Sequence, residues 1–323
     1  MNTGKYVFSQ LVDFLPQRVF DSIVTKYEGN KYVKHFTCWN HLLAMMFGQL
    51  TRRDSLRDLI IAFEAHYRKR YHLGFGKNIT RSNLSKANEN RNNKIFEEYA
   101  YYMIDIARNK RANSDFEIQG KVYAFDSTTI DLCLSVFWWA KFRKFKAGIK
   151  IHTLYDICTQ IPAFIHITEA SVNDMNAMDV IPYEYGAYYV FDRGYIDFKR
   201  LNKICNHSAY FVVRAKKNLK FKCNRLNKIN ENTGVISDQV GTLTGFYASK
   251  DYPNEIRQVI YYDKESDKTF SYLSNNMELT AEQIALLYKN RWQVELFFKW
   301  IKQHLKIKSF WGNSENAVKI QIY

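Results

Sequence analysis

Residues 122–126, Val122-Tyr123-Ala124-Phe125-Asp126, and residues 188–192, Tyr188-Tyr189-Val190-Phe191-Asp192, decide how this chain is read. Each is a compact apolar run closed by an aspartate, the pattern of a buried strand reaching a sheet edge. Working outward, 148–155 and 161–169 read as two more strands, separated by the polar turn Thr159-Gln160. A short helix is expected around 175–180, a second over 197–205, and a strand at 210–213. Three strands, short helix, strand, helix, strand is an α/β layout whose last strands run parallel to the first.

In an open α/β sheet, ligands gather at the carboxyl ends of strands. Asp126 and Asp192 would therefore converge if their strands are neighbours. Two close carboxylates repel unless a cation lies between them or one is protonated. Magnesium or manganese, which prefer oxygen ligands, would serve. The plainer alternative is that each aspartate caps a turn after its strand.

The spacing predicts one long amphipathic helix over 280–304, with Thr280 as N-cap and Gln283 as its capping-box partner. Arg291, Glu295, Lys299 and Lys302 follow steps of four, four and three, so they share a face that Tyr288 extends by a turn. Leu296, Phe297, Trp300 and Ile301 are expected to be buried on the other faces. An i,i+4 ion-pair ladder would explain the charges. One carboxylate among Arg291, Lys299, Lys302 and Lys306 instead favours Glu295 as a metal ligand beside phosphates.

The basic excess, 47 Lys and Arg against 32 Asp and Glu for a net charge of +15, asks for a polyanionic partner. Ten cations and no acid fall between residues 199 and 229, Lys216 and Lys217 among them. Lys141, Arg143, Lys144, Lys146 and Lys150 form a smaller run. Phosphate-backbone contact accounts for these runs better than a merely solvated face does. Phe221, Phe246 and Tyr247 are candidates for base stacking, with burial in a core as the alternative. His152, Asp156, Glu169 and Asp174 could support the site, or fill ordinary core and turn roles.

Several classes are excluded. The five cysteines lie far apart without a C-x-x-C pair, against a zinc finger or disulfide scaffold. No apolar stretch reaches 18 residues and the first 16 residues lack a signal-peptide core, so a soluble, intracellular protein is expected. There is no Walker loop, G-x-S-x-G or H-E-x-x-H.

Upstream, residues 6–70 read as helical, with Leu42, Leu43, Met46 and Phe47, then Leu56, Leu59, Ile60 and Phe63, at helical spacing. Asp54 or Ser55 would cap the second of these helices. Another helix is expected over 92–108, and 80–87 reads either as the recognition helix of a helix-turn-helix or as a capped surface helix. Residues 216–275 look like a β-rich insertion, with alternating runs at 241–247 and 258–262.

The order Asp126 (YAFDSTT), Asp192 (VFDRGY), then Tyr288-x2-Arg291-x3-Glu295-x6-Lys302 resembles the bacterial DDE transposases of the insertion-sequence-four group, marked by a Y-R-E-K signature. The β-rich stretch within the 103 residues from Asp192 to Glu295, and the helical stretches VFSQLVDFLP and RRDSLRDLI, are similar to that group too. The resemblance implies an RNase H-like α/β core in which Asp126, Asp192 and Glu295 hold two Mg²⁺ or Mn²⁺ ions. It also implies phosphate binding by Tyr288, Arg291 and Lys302; the basic residues Lys299, Arg193, Lys216 and Lys217 are further candidates for DNA contact. The implied partners are duplex DNA (terminal inverted repeats and target) and a second copy of the chain in a synaptic homodimer, with no membrane, in the cytoplasm at the nucleoid.

The domains expected on this basis are a helical DNA-binding domain at 1–75, a helical connector at 76–117, a first core segment at 118–215, the β insertion at 216–275 and a closing core segment at 276–323. Members of the group cut through a hairpin intermediate with the insertion assisting a flipped base, but the insertion here has no Trp. The chain stops at Tyr323 within an apolar-periodic segment (Val318, Ile320, Ile322), where members usually continue, so a C-terminally truncated copy is expected. The expected function is DNA strand cleavage and transfer at insertion-sequence ends. The alternatives are a catalytically silent DNA-binding remnant and a related metal-dependent nuclease that never joins strands.

Overall fold

The fold comes from a computed structural model, which describes residues 6–66, 73–75, 79–111, 118, 120–144, 146–230, 233–305, 307 and 309–323. In chain order the helices α1 (Val7–Val12), α2 (Gln17–Lys26), α3 (Cys38–Leu50), α4 (Leu56–Ala65), α5 (Arg81–Asn90) and α6 (Lys94–Lys110) come first. Strands β1 (Val122–Leu132), β2 (Lys141–Arg143), β3 (Lys146–Asp156), β4 (Ile161–Glu169) and β5 (Tyr188–Phe191) follow. Then come α7 (Phe198–Asn206), β6 (Tyr210–Arg214), β7 (Phe221–Leu226), β8 (Val235–Leu243), α8 (Phe246–Asp251), β9 (Ile256–Asp263) and β10 (Lys268–Ser274). Helices α9 (Ala281–Lys289), α10 (Trp292–His304) and α11 (Glu315–Ile322) close the chain.

Two compact units emerge, and they cut across the linear segments expected above. Unit 1 is Met1–Ile106, Thr129–Ile149 and Phe298–Tyr323; unit 2 is Ala107–Thr128 and Lys150–Phe297.

Unit 1 is helical around an aromatic core. Phe47 stacks on Phe63 at 5.1 Å, and Phe75 meets Phe63 edge-on at 4.8 Å. The expected caps form: Ser55, not Asp54, accepts the Asp58 amide at the start of α4, and Thr80 accepts that of Asn83 at the start of α5. Residues 81–90 form the helix α5, whose Leu84, Ala87 and Asn88 are buried. The apolar segment ending the chain belongs to this core, with Val318 and Ile320 buried on α11. The Asn316 amide fastens α11 by donating to the carbonyls of Asn88 and Arg91. Trp311 packs so closely on Gly48 that a Cβ there would come within 2.4 Å of the indole, so α3 needs a glycine at that position.

Unit 2 is built on a sheet whose path is β2-β3-β1-β5-β6-β10-β9-β8-β7, with β4 paired to β3 off that path. Strands β1, β5 and β6 are parallel, with Val122 opposite Tyr188 and Phe125 opposite Phe191, then Tyr188 opposite Tyr210. Their fully buried residues Tyr123, Phe125, Tyr189, Phe191 and Phe211 form the core, as near-continuous apolar runs should in a covered parallel sheet. The stretch 216–275 joins that same sheet, because β10 pairs antiparallel with β6 from Tyr272–Arg214 to Ser274–Val212. Of the alternating run 241–247, the strand keeps only the part up to Leu243; Phe246 and Tyr247 open α8 instead and stand 80% and 77% exposed, so core burial is not their role.

Two further expectations are corrected. The strand does not end at Asp126 but runs on to Leu132; what stops after Phe125 is its pairing with β5. The helix 280–304 is two helices, broken at Asn290-Arg291, although the Thr280–Gln283 capping box forms as read. On α10 the buried residues are Val294, Phe298 and Ile301, whereas Trp292, Leu296 and Trp300 form an exposed stripe at i, i+4 and i+8.

Candidate active site

Because the parallel register of β1 and β5 stops at Phe125 and Phe191, Asp126 and Asp192 leave neighbouring strands side by side at their carboxyl ends. The third carboxylate arrives on α10. Arg291, at the break before that helix, donates from Nη1 to Asp126 Oδ2 at 2.9 Å and from Nη2 to Glu295 Oε1. Tyr288, from the last turn of α9, donates its hydroxyl to Asp192 Oδ1 at 3.1 Å. Three acids 66 and 103 residues apart are thus drawn together by the Tyr and Arg of one signature. The face predicted for one continuous helix is delivered by two, since the turn at 290–291 swings Tyr288 and Arg291 onto different acids.

Electrostatically the cluster is frustrated. Burial raises the pKa of Asp126 above the ordinary carboxylate value, and the charges of Glu295 and Asp192 push it further, against the Ser127 amide and Arg291. Burial pushes Tyr288 up to about 12, with Arg291 opposing and Asp192 adding. Arg291 is only partly satisfied, since its buried Nε has no hydrogen-bond partner. Glu295 remains 55% exposed and Asp126 21%. Among the described residues, no group of three His, Cys, Asp or Glu is close enough to hold a metal as it stands. The donor set nevertheless suits a hard divalent cation: it is all carboxylate oxygen, it repels itself, and a guanidinium now supplies the positive charge between two of its members.

The other expected residues are placed as follows. Arg193 is exposed, one residue after Asp192, and Lys216 and Lys217 are exposed between β6 and β7. Lys299 is exposed and Lys302 half-buried on the part of α10 that groups with unit 1. Lys306 lies outside the described residues. Part of the basic run is structural, because Arg200 is tied to Asp179 at 2.7 Å and Asp197 at 2.9 Å. Asp156 has a structural role, buried under Arg108 and accepting the amides of Cys158 and Thr159, and Glu169 accepts from Ser171 in a turn.

One feature of the site is not legible in the sequence. A cavity of about 460 Å³ opens beside Tyr288 and Arg291, walled by Tyr261, Phe270, Tyr272, Tyr288 and Trp292. Tyr272 and Tyr288 face each other at 4.7 Å. Trp292 follows Arg291 directly, so the only available signal was its adjacency to the signature.

Residues 117–323 match the transposase DDE domain family. The chain belongs to that family. Its core is accordingly RNase H-like, and the family is a class of metal-dependent enzymes that cut and transfer DNA. Residues 3–76 match a domain of unknown function. A putative transposase of Sinorhizobium fredii is 40% identical over 202 residues, covering 61% of this chain and 56% of that protein. A probable transposase for an insertion sequence element of Geobacillus stearothermophilus is 25% identical over 67% of this chain and 56% of its own length. A putative insertion-sequence transposase of Synechocystis is 26% identical over 77% of this chain and 69% of its own length. The chain thus spans little more than half the length of the first two. Among the described residues no helix is long and apolar enough to cross a membrane.

Proposed function

We propose that this chain acts in DNA transposition, cutting and joining strands at the ends of an insertion sequence. The observation that carries the reading is the convergence of Asp126, Asp192 and Glu295 around Arg291 and Tyr288. Asp126, Asp192 and Glu295 would hold two Mg²⁺ or Mn²⁺ ions. Bound there, the ions supply Lewis acidity at the attacking and leaving oxygens of an in-line displacement. Arg291 and Tyr288 then turn from the acids to the phosphate oxygens, which their geometry suits: a guanidinium with a free Nε–H and a hydroxyl held at the same rim. Arg193, Lys216, Lys217, Lys299 and Lys302 contact the backbone of terminal-repeat and target DNA.

The aromatic cavity beside Tyr288 takes the unpaired base that the resemblance implies, and Trp292 provides the indole the insertion lacks. The working form is a homodimer bringing two ends together, at the nucleoid in the cytoplasm. The test uses duplex DNA carrying the flanks of the gene, with Mg²⁺ or Mn²⁺, and Ca²⁺ as a control that permits binding only. Cleavage at the flank boundary that disappears in Asp192→Asn is the expected result. Specific binding without cleavage in either protein would overturn it and favour the silent DNA-binding reading.

A further inference from the structure

Ser127 stands next to Asp126 and is held by two hydrogen bonds. Its amide donates to Asp126 Oδ1 at 2.8 Å, while its hydroxyl donates to Asp174 Oδ1 at 2.8 Å. Asp174 in turn is fixed. It begins a 3₁₀ turn capped by Asn173, whose side chain accepts the Met175 amide at 3.0 Å. Lys150 Nζ lies 3.2 Å from Asp174 Oδ1 and donates to the Val172 carbonyl at 2.7 Å, at only 15% exposure. Behind it the fully buried His152 is anchored by Nε2 to Thr168 Oγ1 at 2.9 Å, with Nδ1 3.9 Å from the same Asp174 oxygen.

The Ser127 hydroxyl is taken by Asp174, which is itself paired with Lys150. Asp126 therefore accepts only a backbone amide on one oxygen and the displaceable Arg291 on the other. Strand β1 and the segment after β4 thus meet at this one hydroxyl, on the residue whose amide holds one oxygen of Asp126.

We infer that Asp174, anchored by Lys150 and acting through Ser127, is a positioning residue that presents Asp126 to a divalent cation. The inference rests on the reading of Asp126 as a metal ligand. Partners that orient ligands in this way typically account for ~10–100-fold in metal affinity.

The test measures Mn²⁺ binding by electron paramagnetic resonance on the purified chain, counting as site-bound only the Mn²⁺ lost in Asp192→Asn. Asp174→Ala is expected to weaken that binding about 10-fold and Ser127→Ala several-fold. Ser127→Thr, which keeps the hydroxyl, restores it. Melting temperature in EDTA and DNA binding in Ca²⁺ stay at the unmodified values, which separates positioning from loss of fold. If Asp174→Ala fails to fold, Ser127→Ala decides, because it leaves the strand and the amide bond to Asp126 in place. Mn²⁺ affinity equal to the unmodified chain in the folded variants overturns the inference alone. Absence of any Asp192-dependent Mn²⁺ in the unmodified chain overturns the metal-ligand reading and the inference with it.

Discussion

Two arginines of unit 2 each grip an aspartate, and they differ in what is left over. Arg257 on β9 meets Asp238 on β8 through two parallel bonds of 2.8 and 2.7 Å, and its remaining nitrogen reaches the carbonyls of Asn276 and Leu279. Both side chains are 4% exposed. Arg291 makes one bond each to Asp126 and Glu295, leaves Nε unpartnered, and joins a half-exposed acid. The first pair is closed: every guanidinium nitrogen has an acceptor. The second is open. Its acids repel one another, and its cation can be displaced by a better one. Closed pairs hold a fold together, whereas open ones mark a place where a ligand completes the coordination.

The largest effect that would sharpen this contrast is catalytic. Asp192→Asn and Glu295→Gln should each lower end cleavage by at least ~10³-fold, equivalent to ~4 kcal/mol of transition-state stabilisation, with melting temperature little changed. Cleavage within tenfold of the unmodified rate would break it. Next comes stability. Arg257→Ala leaves a buried, uncompensated carboxylate and should cost about 3–5 kcal/mol in denaturant unfolding. Arg291→Ala, which removes the cation of an open and partly exposed cluster, should cost less than Arg257→Ala while abolishing cleavage. Equal losses would erase the distinction between the two pairs.

Acid should test the cores of both units. Burial holds His41 in unit 1 neutral, down to about 3, with Arg91 adding to the shift and Asn88 opposing it. Burial likewise takes His152 in unit 2 to about 4, Asp174 opposing, His166 and Lys150 adding. Each folded value lies below the unfolded 6.5, so the unfolded chain binds the proton first. Stability is therefore full above pH 6.5 and falls as the pH drops toward about 4 and then 3. The slope should be ~1.4 kcal/mol per pH unit for each histidine, read from unfolding free energies at a series of pH values. A flat profile between pH 6 and 4 would contradict it. The smallest effect is Asp126→Asn in EDTA. Because the pKa of Asp126 is raised on folding, its ionised form destabilises the fold at neutral pH. The substitution should raise the melting temperature slightly at pH 7, the gain shrinking as the pH falls through the carboxylate range.

What local pattern encodes was legible without coordinates. Apolar runs placed β3, β5 and β6 and the start of β1 within a few residues, because a strand buried on both faces must be apolar on both; they did not show that β1 runs on past Asp126 to Leu132. Ser55, Thr80 and Thr280 announced their helices by capping chemistry. The Y-R-E-K spacing pointed to the acids. A face drawn on an ideal helix cannot show where that helix breaks, and the turn at 290–291 follows from packing, as does the exposure of Leu296 and Trp300.

By itself, then, the sequence determined most of the elements and the basic surplus and singled out three acids, since these depend on neighbours within a turn or a strand. Only the tertiary structure decided which cations close on which acids: Arg257 on Asp238 completely, Arg291 on Asp126 partially, Lys150 on Asp174 as an anchor for Ser127. It also decided that Trp292 walls a cavity and that the chain's last helix belongs to the core of unit 1. The hydrogen-bonded partners in such contacts stand up to 228 residues apart, and no periodicity spans that distance; burial and the competition for hydrogen-bond partners select them.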